Sequence, residues 1–101
     1  MSVATFTSES GVTVGGWSPL SRNISKEASE VFEAAVKGLI GVSYSPIAFA
    51  TQVVSGTNYR FVSHAKAVSP EAHDEIVIVD IYKPLHGPAY VTGIKPFSIA
   101  A

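Results

Sequence analysis

The sequence predicts a two-layer α+β domain, one amphipathic helix packed across an antiparallel β-sheet of four to five strands. Two observations carry this. A single stretch has apolar residues at helical spacing, and everything after it alternates between β-branched runs and short polar turns. The helix is expected from about Ser25 to Ile40. Ser25 can cap its N-terminus, since its hydroxyl can accept from an otherwise unpartnered backbone N–H. Glu27 lies in the first turn, where the helix dipole favours negative charge. Ala28, Val31, Phe32, Ala35, Val36, Leu39 and Ile40 follow the i, i+3, i+4, i+7 pattern, with Lys26, Glu30, Glu33 and Lys37 on the other side. Gly41 is read as the C-terminal cap.

The strands follow in order. The first runs from Tyr44 to about Val53, with Ile47, Phe49, Thr51 and Val53 on one face. In the second, from Thr57 to about Ala67, Tyr59 and Phe61 face one way and Asn58, Arg60, His64 and Lys66 the other. After the polar link 69–74, Glu75 to Lys83 is the most β-branched run. Tyr90 to about Ile94 is the last strand, and Lys95 to Ala101 trails from it. Short links between consecutive strands favour a meander. Residues 1–14 read as a flexible extension, although Thr13 and Val14 suit a short edge strand, and residues 15–101 read as one domain.

Bulk composition narrows the function. The chain has 101 residues, 47% of them hydrophobic and 15% charged, with a net charge of −1. This supports a real core and offers no basic stripe for nucleic acid. There is no cysteine, which removes disulfides, thiolate metal sites and a cysteine nucleophile, and favours a reducing compartment. Met1 to Gly16 lack the pattern of a signal peptide and no apolar run approaches a membrane span, so a cytoplasmic protein that does not bind membranes is expected. An enzyme would have to use His64, His73 and His86 with Asp74, Glu75 or Asp80. The one tight cluster, His73-Asp74-Glu75, sits in a loop where solvated charges are the simpler reading. No catalytic residue, metal or cofactor is assigned.

Two loops are unusual. Gln52-Val53-Val54-Ser55-Gly56 puts two valines at a hairpin tip, where polar residues are the norm. It reads either as a strand running to residue 54 with a Ser-Gly turn, or as an exposed apolar edge that enters another protein's groove. Lys83 to Pro88 carries Leu85 and His86 between two prolines. These prolines either just end strands or stiffen a loop that binds. In a meander, alternate hairpins open at the same end of the sheet. These two loops should therefore lie side by side, with Gly15-Gly16 in reach. Trp17 is read either as an arm-packing residue or as a contact.

Here the sequence resembles the cystatins. Gln52-Val53-Val54-Ser55-Gly56 matches their Gln-x-Val-x-Gly pattern, and its continuation Thr57-Asn58-Tyr59 is similar to stefins (type-1 cystatins) and plant cystatins. Gly15-Gly16 resembles the glycines of the N-terminal trunk, Lys83 to Gly87 the second hairpin loop, and Tyr90 to Gly93 a stefin segment. The resemblance covers about residues 14 to 97. The stretch from helix to Gln52 is several residues shorter than in typical stefins, and that from Gly56 to Leu85 several longer. Leu85 and His86 stand where many members carry Leu-Pro-Gly or Pro-Trp.

The resemblance implies a cystatin-like fold and a reversible, non-covalent inhibitor of papain-like cysteine proteases such as papain and cathepsin-L-type enzymes. Val14, Gly15 and Gly16 would enter the non-primed side of the cleft. Gln52, Val53, Val54, Ser55 and Gly56 would give the central contact, and Pro84, Leu85, His86 and Gly87 would cover the primed side. It also implies a monomer, with a swapped dimer opened at loop 52–56 as a possible second form. The alternative is a cystatin-fold binding module that inhibits no protease.

Overall fold

The computed structural model describes residues 16–69, 71 and 74–97. One helix, α1 (Lys26–Val36), packs against four antiparallel strands, β1 (Val42–Val54), β2 (Gly56–Ala67), β3 (Asp74–Lys83) and β4 (Tyr90–Pro96), which lie in the order β1-β2-β3-β4. Each strand pairs with its chain neighbour, so the sheet is the expected meander. Among the described residues no helix is long and apolar enough to cross a membrane.

The helix starts as its sequence suggests and ends early. Ser25 caps it, its hydroxyl accepting from the Ala28 N–H at 3.1 Å. Ala28, Val31 and Phe32 are buried. Regular helix stops at Val36 and does not reach Ile40. Gly38, which costs about 1 kcal/mol inside a helix, stands just beyond the break. Leu39, expected on the buried face, is 38% exposed, and Ile40 is 91% exposed. Gly41 is therefore not the helix cap. It lies directly before β1, and its carbonyl accepts from Val68 N–H at 2.9 Å.

Strand β1 departs from simple alternation. Its pairing with β2 shifts register between Pro46 and Ala48, so Ile47 is an extra residue without a partner in the ladder. Before the bulge Val42 and Tyr44 pack on the core, and after it Phe49 does. Counting back by twos from Phe49 places Ile47 on the wrong footing. The strand also starts earlier than expected, at Val42, and β4 ends later, since Lys95 pairs with Ile78 and Pro96 with Val77. Proline is tolerated there because β4 is an edge.

Phe61 is the hub of the core. It is fully buried, meets Phe32 edge-on at 4.8 Å, and stacks near Phe49 at 6.0 Å and Tyr59 at 5.9 Å. Val77, Val79 and Ile81 supply the β3 side of the same cluster. Burial first, and then the Glu27 carboxylate, hold the Tyr59 phenol above its usual pKa.

Two outcomes follow from this packing. Phe61→Ala removes the shared ring and lowers the unfolding free energy by about 3–5 kcal/mol, read from denaturant melts. A raised folded pKa means that the phenol's contribution is complete below its unfolded value near 10 and is lost as pH rises beyond it. Stability above about pH 10 should thus fall less steeply in Tyr59→Phe than in the parent chain. Parallel alkaline curves would show that Tyr59 contributes nothing there.

Candidate functional site

The first hairpin is as tight as an antiparallel pair permits. Val54 and Gly56 are cross-strand partners, with Ser55 alone between them. Gly56 takes φ +104°, a region that favours glycine, and it is buried. A Cβ there would stand 2.7 Å from the Lys83 carbonyl oxygen and 2.7 Å from the Tyr82 hydroxyl. Only glycine lets the turn press onto the end of β3. The Tyr82 hydroxyl donates to the Ser55 carbonyl and holds the turn from the other side. At the hairpin base Asn58 Nδ2 donates to Gln52 Oε1 at 2.8 Å. Val53 stays half-buried, while Val54 at the tip is 42% exposed.

The second loop is braced by its own lysine. Lys83 Nζ donates to the Pro84 carbonyl at 3.1 Å and the Gly87 carbonyl at 3.0 Å, which ties the two sides of the loop together. Gly87 has φ +117°, so the chain turns back at a residue that bears no side-chain penalty. Tyr82 and Tyr90 close the base, ring against ring at 5.8 Å. Between them Leu85 projects, 68% exposed, with His86 exposed beside it.

Register brings these loops together. Thr57 pairs with Lys83 and Asn58 with Tyr82, so the residues that open the first hairpin's return strand flank the last residues before the second loop. The segment preceding the helix arrives at the same end. Trp17 bridges to Gln52, and Ser18 N–H donates to the Thr51 carbonyl at 2.7 Å. The Thr51 N–H donates to Ser18 Oγ at 2.9 Å, and Ser21 exchanges two backbone bonds with Phe49, each at 2.9 Å. Residues 17–21 are therefore docked along β1. The edge of β1 offers its backbone groups as partners to this extended stretch, which lies within the 15–101 domain read from the sequence.

Of the site residues read from the sequence, Gly16, Gln52 to Gly56 and Pro84 to Gly87 fall at this one end of the sheet. Val14 and Gly15, with the rest of the predicted extension, lie outside the described residues, as does His73. Sequence reasoning gave Tyr82 and Arg60 no role at this end and weighed Asp80 only as part of an enzyme. Arg60 Nε and Nη2 donate to the two Asp80 oxygens at 2.9 and 3.2 Å, and Trp17 stacks on the guanidinium at 4.4 Å. Outward parity on neighbouring strands was the available signal, but it needs the register to become a pairing. A second apolar region occupies the opposite end, where a cleft runs between Val42, Tyr44, Val77, Ile94 and Pro96, near exposed Ile40 and Val68.

The loop end thus offers two apolar tips on backbones already held in place. Such an arrangement can enter a groove at little ordering cost. No protein-family model matches the chain, and no curated protein matches it.

The close approach at Gly56 has a measurable consequence. Gly56→Ala should lower the unfolding free energy by about 1–3 kcal/mol through backbone strain and the clash with Lys83. Gly38→Ala, where a Cβ meets nothing within 4 Å, serves as the control and should cost nothing or stabilise. Equal effects at the two glycines would contradict the contact.

Proposed function

We propose that the chain is a reversible, tight-binding, non-covalent inhibitor of papain-like cysteine proteases. The meeting of three separate segments at one sheet end is the observation that carries this reading. Gly16 with Trp17, the 52–56 turn and the 84–87 loop are far apart in sequence and adjacent in the fold. A Gln-x-Val-x-Gly match alone would support it weakly. The match at the tip of a tight hairpin, flanked by both partner segments, supports it better.

In this reading the end of the sheet fills the protease cleft as a wedge. Val54 and Leu85 give up their exposed apolar surface to the enzyme, which is the main favourable term. Gly16 lets the arm backbone approach the non-primed wall without a side chain in the way. The wedge straddles the catalytic thiol and presents no peptide bond in line with it, so neither partner is consumed and no proton transfer is asked of this chain. The Tyr82, Lys83 and Gln52–Asn58 contacts keep both tips in their bound shape before the encounter, which lowers the ordering cost. The same reading assigns the active form to the monomer, since a dimer swapped at 52–56 would straighten the turn. It also assigns the protein to the cytoplasm, where a chain without cysteine needs no oxidising environment.

A titration of papain and a cathepsin-L-type protease with a fluorogenic peptide tests this directly. Saturating, reversible inhibition is expected, with the inhibitor recovered uncut. Gly16→Glu and Val54→Asp should each raise the inhibition constant at least about tenfold, the scale of a central contact residue, while the fold is kept. Absence of inhibition at high micromolar concentration, or two variants that inhibit like the parent chain, would sink the proposal.

A further inference from the structure

The wedge needs only the backbone of the arm, yet the arm carries the chain's one tryptophan at the point where it meets the sheet. We propose that Trp17, Arg60 and Asp80 form a clamp that fixes Trp17, and Gly16 beside it, at this end of the sheet, which makes them positioning residues for the contact of Gly16 with a protease. The inference rests on the wedge reading and adds to it three side chains that touch no protease in that reading.

The geometry is specific to these residue types. Arg60 and Asp80 are cross-strand partners on β2 and β3. Their double hydrogen bond, at 2.9 and 3.2 Å, holds the guanidinium flat and fixed. A flat, fixed cation leaves its face free to stack, and Trp17 occupies that face at 4.4 Å. Lysine would keep the charge and lose both the fork and the face. The β1 partner of Arg60 is Ala50, which contributes only a methyl group on that side of the sheet. The pairing Trp17↔Gln52 and the Ser18–Thr51 bonds fix the backbone of the same residues alongside β1.

Backbone bonds hold the arm to one strand, and the stack ties it to two more. Gly16 follows directly from Trp17 towards the N-terminus, so whatever fixes Trp17 fixes the first residue of the arm. Each residue ordered only on binding costs backbone entropy. An arm whose root is already placed avoids part of that cost. The partly exposed ion pair alone contributes little, because solvent screens the charges of such pairs. Its role here is to present the guanidinium to the ring.

Two readouts test the clamp on the full-length chain. The first is acrylamide quenching of the fluorescence of Trp17, which no other tryptophan obscures. Arg60→Lys and Asp80→Asn should both raise quenching in the free protein. The second is the inhibition constant against papain in two backgrounds, the parent chain and Gly16→Glu. The two clamp variants, and Trp17→Leu, should weaken inhibition about threefold to thirtyfold in the parent, the range set by a cation–π contact. They should change it little in Gly16→Glu, where the arm is already excluded. Unchanged quenching in both Arg60→Lys and Asp80→Asn would overturn the clamp. Equal losses in the two backgrounds would overturn its action through the arm. A parent chain that fails to inhibit papain would remove the wedge and the arm's role with it, while quenching would still decide whether the clamp exists.

Discussion

The whole domain is organised around the ring of Phe61. It touches the helix through Phe32, the first strand through Phe49, and the stacked Tyr59 on its own strand. The 11-residue α1 has little surface with which to hold a sheet of four strands. Four rings concentrated at one point, with Val79 and Ile81 fully buried beside them, supply dense contact where it is most needed. The register of β1 against β2 is thereby fixed, because Phe49 must face Phe61. A slip of one residue would turn that face outward.

That register decides what stands at the end of the sheet. With Phe49 opposite Phe61, Val54 falls opposite Gly56, and the turn has room for one residue. Pairing of β2 with β3 then sets Gly56 against Tyr82 and Lys83. The core thus aims the first turn at the root of the second loop. Lys83 does two jobs: its carbonyl lies where only a glycine can approach, and its ammonium ties together the carbonyls of the loop that follows. The two tips are linked through β3 rather than through each other. This is why the proposed wedge is best regarded as one rigid edge and not as two independent loops.

Much of this was legible in the sequence, and the gaps have physical causes. The helix start was visible because Ser25 and the apolar spacing agree. Its end was not, because Leu39 and Ile40 continue the spacing past Gly38, and periodicity cannot register the cost of that glycine. The bulge at Ile47 was hidden for the same reason: alternation reads smoothly through an inserted residue. Gln52 to Gly56 and Pro84 to Gly87 stood out because apolar residues at turns are rare. The bracing by Tyr82 and the Arg60–Asp80 pair join residues 27 and 20 positions apart, and the stack of Trp17 on that pair reaches across a still longer separation. No local pattern encodes that.

The central claim is that the arm root and both turns act as one surface, and that the opposite end of the sheet takes no part. Amide chemical shifts of the isotope-labelled chain, followed as catalytically inactivated papain is added, measure this directly. The account predicts that perturbations gather at residues 16–18, 53–57 and 84–87, and that Val42, Tyr44, Ala67 and Ile94 keep their free-state shifts. Perturbation centred on Val42, Ile94 and their neighbours, or confined to one of the two loops, would contradict it.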